Sequence, residues 1–143
     1  MKFNIEVKTD IKTEEAVKGL RRVLWLSMLK MKELAVQKCP VDTGRLRSSI
    51  ILQPTTPNSD RYILSDGVSY GVCVEMGTRP HPVSYKNLVG WARRKLGNSK
   101  LAFAVAKKIQ KYGTRPQPFF RPALDEVRKI HLKRYMNKVF GNG

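Results

Sequence analysis

The sequence predicts an α+β domain: a long N-terminal helix packed on an antiparallel β-sheet meander, with further helices in the C-terminal half. Three patterns carry this reading. Val17, Leu20, Leu24, Met28, Met31 and Ala35 recur at helical spacing. Phe3, Ile5 and Val7, and later Tyr70, Val72, Val74 and Met76, alternate with other residues as strands do. Beyond Pro82, apolar residues return to a three-to-four spacing behind serine caps.

Taken in order, Phe3, Ile5 and Val7 mark the first strand. Asp10 and Thr13 are helix-start residues, and Glu14 and Glu15 place acid in the first turn, where the helix dipole favours it. This helix runs to about Lys38 and stops at Pro40. Trp25, Leu26 and Leu29 fall off its main stripe, among Lys18, Arg22 and Lys32. Such a second apolar patch is either sandwiched inside the domain or offered to another subunit. Asp42-Thr43-Gly44 is turn chemistry.

Residues 48–52 read as a strand entering a polar loop at 53–60, and residues 62–64 as a second strand. Asp66-Gly67 reads as a tight hairpin turn, followed by a third strand at 68–76. Ser84 caps a helix carrying Leu88, Trp91, Ala92 and Leu96, which Gly97-Asn98 ends. Ser99 caps another, with Leu101, Val105 and Ile109 on one face. The final helix starts at Pro122, favourable in a first turn, and reaches about Val139. The expected organisation is one domain, residues 1–140, with a frayed end at Gly141-Asn142-Gly143.

The 143 residues hold 28 lysines and arginines against 11 acidic residues, a net charge of +17. That balance favours anionic neighbours, nucleic acid among them. The cations are spread along almost every segment, from Arg21-Arg22 to Lys133-Arg134, and no aromatic-interleaved RNA motif accompanies them. No apolar run approaches the ~20 residues of a membrane span, so no membrane partner is expected. Residues 1–6 lack the apolar core of a signal peptide, which points to a cytoplasm or a particle assembled there. Cys39, Cys73, His81 and His131 show no metal-ligand spacing, and neither a metal nor a cofactor is expected.

Catalytic patterns are also missing from the sequence. There is no glycine-rich phosphate cradle, no Ser-His-Asp or Cys-His context and no cluster of acids for a two-metal site. The expectation is a protein that is not an enzyme. Asp42 and Glu75 stand beside turn glycines and arginines. Asp42 reads as an Asx turn that shapes its loop, and Glu75 as a strand carboxylate paired with a nearby arginine.

Gly-Thr-Arg-Pro occurs twice, as Gly77-Thr78-Arg79-Pro80-His81-Pro82 and Gly113-Thr114-Arg115-Pro116-Gln117-Pro118. Paired prolines fix φ and extend the residues before them. Each copy is a stiff corner followed by an extended arm, holding one arginine in a defined place. Gly113 also suits the C′ position of the preceding helix. A turn alone does not require the whole hexapeptide pattern to recur, so Arg79 and Arg115 are expected to contact a partner or a neighbouring subunit.

Three ordered blocks complete the pattern: residues 40–50 (Pro-Val-Asp-Thr-Gly-Arg-Leu-Arg-Ser-Ser-Ile), 70–80 (Tyr-Gly-Val-Cys-Val-Glu-Met-Gly-Thr-Arg-Pro) and 118–124 (Pro-Phe-Phe-Arg-Pro-Ala-Leu). Together they resemble the small head–tail joining or tail-completion proteins of long-tailed phages and prophages, the family related to the minor tail component Z of phage lambda. The resemblance implies a structural protein of the virion, assembled in the host cytoplasm into a ring, usually six-fold, at the head-proximal end of the tail. It implies the connector or head-completion protein and the tail terminator or tube protein as neighbours, with DNA passing through. The second reading is a small basic protein that binds viral or host DNA directly.

Candidate contact residues on this reading are Trp25, Leu26, Leu29, Asp42, Arg45, Glu75, Arg79, Arg115, Phe119 and Phe120. Phe119, Phe120 and Leu124 are further expected to dock the final helix on the sheet. Because adjacent residues of an extended segment point to opposite sides, one of the two rings is expected to face outward.

Overall fold

The computed structural model describes residues 1–6, 13–57 and 59–141. It is an α+β fold: a three-stranded antiparallel sheet covered by a long helix, with further helices after it. Val7, Asp10, Asn142 and Gly143 lie outside the described residues.

Strand β1 (Lys2–Glu6) leads to helix α1 (Glu14–Lys38), whose first turn carries Glu14 and Glu15 as expected. The stripe Leu24, Met28, Met31 and Ala35 is buried, and Val23, Ser27 and Leu34 extend the buried face. Pro40 stops the helix, and the Cys39 N–H still closes the last turn on the Ala35 carbonyl at 2.9 Å. No helix among the described residues is long and apolar enough to cross a membrane.

Residues 45–48 form a short helix, α2 (Arg45–Ser48), where the sequence reading starts a strand; β2 follows later, at Ile51–Pro54. The Ser48 and Ser49 hydroxyls donate to the Arg45 and Leu46 carbonyls at 3.1 and 2.8 Å, which favours the helical turn. That turn buries Leu46 and Ile50, four residues apart. Strand β3 (Arg61–Ser65) lies at the centre of the sheet, in the order β1-β3-β2. Leu64 is fully buried and stands between Phe3 of β1 and Leu52 of β2, so three apolar side chains line one row under α1.

The third strand expected at 68–76 is a helix, α3 (Gly71–Met76), and the sheet's third member is β1. Nor does Asp66-Gly67 turn a hairpin: Asp66 is buried, and the Gly67 N–H donates to the Ser49 carbonyl at 3.2 Å. Of the alternating residues, Tyr70, Val72 and Met76 are exposed and Val74 is half-buried, while Gly71 and Glu75, four apart, are buried. A run this short fits both periods, and only packing chooses between them. Here the choice is made by a close approach to Asp66, since a Cβ on Gly71 would sit 2.2 Å from the Asp66 carboxylate.

Helix α4 (Val89–Leu96) follows a 3₁₀ turn at Tyr85–Leu88 and ends at Gly97 in the left-handed region. Helix α5 (Ala102–Tyr112) follows a second 3₁₀ turn at Ser99–Leu101, and the capping side chain there is Asn98, which accepts from the Lys100 N–H at 2.9 Å. The last helix is continuous through three pieces: α6 (Phe120–Glu126), a π-helical turn (Val127–His131) and α7 (Leu132–Phe140). It packs along α1, with the Phe140 ring over Gly19 at one end and Lys38 paired with Glu126 at 3.0 Å at the other.

Candidate functional site

Glu75 is the centre of the junction that joins α3 to α6. Its buried carboxylate accepts the backbone N–H groups of Phe119, Phe120 and Arg121 at 2.7, 3.0 and 2.9 Å. A helix leaves its first four N–H groups without partners. Here a carboxylate from another helix takes three of them, and the fourth position is Pro122, which has no N–H. Negative charge at a helix N-terminus is also favoured by the dipole. Glu75 is thus a structural cap in place of the arginine-paired strand residue expected.

Phe119 and Phe120 are both fully buried, with ring centroids 4.6 Å apart, and Phe120 also packs on Phe3 at 5.1 Å. The expectation that one ring faces outward fails because Phe119, with φ −131° and ψ −34°, has already left the extended conformation and Phe120 begins the helix, so the side-to-side alternation of a strand does not apply. These two residues and Glu75 belong to the domain's own core and are not a contact surface.

The two Gly-Thr-Arg-Pro copies pair with each other. Thr78 and Thr114 exchange both backbone hydrogen bonds, at 3.1 and 3.2 Å, in an isolated antiparallel bridge. Their hydroxyls meet at 3.0 Å. Gly77 and Gly113 adopt nearly the same conformation, with φ of 72° and 71°. A Cβ on Gly113 would lie 1.9 Å from the Thr78 carbonyl oxygen, and one on Gly77 2.5 Å from that of Thr114. A local two-fold pairing demands the same small residue and the same threonine on both sides, so the recurrence has an internal cause. Arg79 and Arg115 leave this clasp as exposed side chains.

Between the two halves of the clasp, residues 79–112 make a helical lobe that leaves the body and returns. Its elements pack mainly on one another, with Ala92, Ala102 and Ala106 buried and Tyr85 edge-on to Phe103 at 6.0 Å. A fork ties the lobe to the body: Arg94 donates through Nε and a terminal nitrogen to the two Asp42 oxygens at 2.8 and 2.7 Å. Lys95 adds a hydrogen bond to the Val41 carbonyl. Asp42 therefore tethers the lobe, where an Asx turn was expected. The Arg94 bond holds the Asp42 carboxyl below the usual carboxylate range. A lowered value means the tether is fully present above the ordinary pKa of about 3.9 and is lost only as pH falls through the lower one. Arg45 is exposed at the start of α2.

Trp25 and Leu29 form an exposed ridge on α1, at 36% and 40% exposure, with Leu26 half-buried beside them. The Trp25 ring packs on Tyr62 with centroids 5.1 Å apart. The two rings, with Arg21, Arg22, Pro54 and Ser59, line an open cleft of about 400 Å³. Arg21 is held there by the Asp60 carboxylate. Cys39 is buried, which pushes its thiol pKa up, and Cys73 is exposed; neither forms a disulfide. Among the described residues no cluster of His, Cys, Asp or Glu has the makings of a metal site.

The sequence reading treated the basic charge as evenly spread and missed its concentration in the lobe. The signal was available: from Met76 to Leu124 there is no Asp or Glu at all. No family model, no curated protein and no solved structure matches this chain.

Proposed function

We propose that this chain is a structural subunit of a tailed-phage particle, which joins or completes the head-proximal end of the tail as a ring through which DNA passes. One relationship supports the reading. The three blocks that resemble the tail-completion family are far apart in sequence, yet they meet in one junction. Leu46 and Ile50 of the first block share a core with Phe119 and Phe120 of the third, and Glu75 of the second caps the helix that carries them. A signature whose parts hold a single junction together is a signature of the fold, and this supports carrying the family's role across.

The surfaces that remain are suited to assembly. The Trp25–Leu29 ridge offers apolar area to a neighbouring subunit, and the Arg79 and Arg115 arms offer charge to the proteins above and below. The test is light scattering on the full chain, alone and with the connector and tail-tube proteins. A closed ring, six-fold by this reading, is the expected result. A chain that stays monomeric with both partners, and that is dispensable for joining heads to tails, refutes it.

A further inference from the structure

We propose that the helical lobe binds the phosphate backbone of duplex DNA, with Lys107, Lys108 and Lys111 of α5 as its contact face. Residues 79–112 hold nine lysines and arginines and no acidic residue, so they supply +9 of the chain's net +17. The lobe is thus a purely cationic unit, set on a body that mixes basic and acidic residues and carries the remaining +8. Two of the nine, Arg94 and Lys95, turn toward the body.

Helix geometry sorts the others on α5. Ala102 and Ala106 are buried and Ile109 is half-buried, which defines the inner line of the helix. At 100° per residue, Lys107, Lys108 and Lys111 fall on the opposite side, and all three are exposed. The Lys107 ammonium lies 4.7 Å from the Phe103 ring centroid, and that of Lys111 lies 5.1 Å from the Tyr112 centroid. Both ammonium groups are held against the helix surface by the neighbouring rings.

The chemistry separates the partners. Protein interfaces are depleted in lysine and favour arginine in fixed, directional pairs. A cluster of point charges on rotatable stems suits a dense row of phosphates, where attraction comes from counterion release and carries no sequence information. Single strands are gripped by stacking bases on open aromatic faces. Here Phe103 and Tyr112 are exposed, but each has a lysine ammonium over one face that a stacked base would have to displace. The duplex backbone is the polyanion this surface fits. The assignment does not depend on ring formation and holds for a monomer equally.

The experiment is fluorescence anisotropy of a labelled duplex of arbitrary sequence, titrated with the full chain over a range of salt. The lobe variant is Lys107→Gln with Lys108→Gln and Lys111→Gln. The control, Lys129→Gln with Lys133→Gln and Lys138→Gln, removes the same charge from exposed positions on the terminal helix. Each phosphate contact contributes about 0.9 to the slope of log K against log salt, so the lobe variant should flatten it by about two to three and the control by less than about one. Circular dichroism checks that both variants fold. Equal flattening by the two variants overturns the proposal, as does the absence of binding by the native chain at about 50 mM salt. Displacement of the duplex by polyglutamate of matched charge reassigns the lobe to an acidic protein, and tighter binding of a single strand than of the duplex also refutes it.

Discussion

The Glu75 carboxylate accepts the backbone N–H of Phe119 at 2.7 Å, across 44 positions of sequence. It joins the helix before the lobe to the helix after it, and with the neighbouring bonds to Phe120 and Arg121 it starts the last helix of the fold. Glu75→Ala leaves three buried or half-buried donors without partners. Hydrogen bonds to a charged group contribute about 1.5–3 kcal/mol, so a loss of at least about 2 kcal/mol is expected. In a thermal melt this is a fall of several degrees. An unchanged melting temperature would show that water replaces the cap at no cost.

Phe119→Ala and Phe120→Ala should each destabilise the domain, by about 3–5 kcal/mol. Both rings are fully buried, so neither is a spare. Chemical denaturation of the two variants measures this directly. One neutral variant would mean that its ring leaves the core in solution.

Gly113→Ala places a methyl group 1.9 Å from the Thr78 carbonyl and adds a side chain at positive φ. The clasp should open while the sheet and α1 remain. Hydrogen exchange at the Thr78 and Thr114 amides is expected to rise, with little change at Leu64. If those amides stay protected, the bridge tolerates the intrusion and the repeat has another cause.

Trp25→Ala should weaken ring formation more than folding. Trp25 is only partly buried and its main aromatic partner is Tyr62, so the domain loses part of one packed pair and keeps its core. Comparison of the oligomer mass with the melting temperature separates the two effects. A large fall in stability with an intact ring would place the residue in the fold and out of the interface.

Arg79→Ala with Arg115→Ala should give a folded, ring-forming protein that fails to join heads to tails. Both side chains are exposed beside the clasp, and the clasp itself is made by backbone and threonine groups. Particle assembly in the presence of the double variant is the measurement. Normal joining would leave the arms without a role in assembly.

Much of this chain is legible from local pattern alone. The long helix, its stop at Pro40, the central strand, the two lobe helices and the terminal helix follow from periodicity and from proline and glycine chemistry, which act within a few residues. The class, α+β with a long helix on an antiparallel sheet, follows with them. What local pattern could not decide is whatever depends on a partner distant in sequence. Residues 71–76 satisfy two periods, and only the reach of Glu75 to Phe119 and the fit of Gly71 against Asp66 make them a helix. The two rings of Phe119 and Phe120 enter one core because Phe119 has already left the extended conformation and Phe120 begins the helix. The repeated hexapeptide acquires its meaning when its copies meet at Thr78 and Thr114. Sequence carries the propensity of each segment and the acid-free run that makes the lobe cationic, while the buried carboxylate cap and the close glycine contacts exist only once the chain has closed on itself.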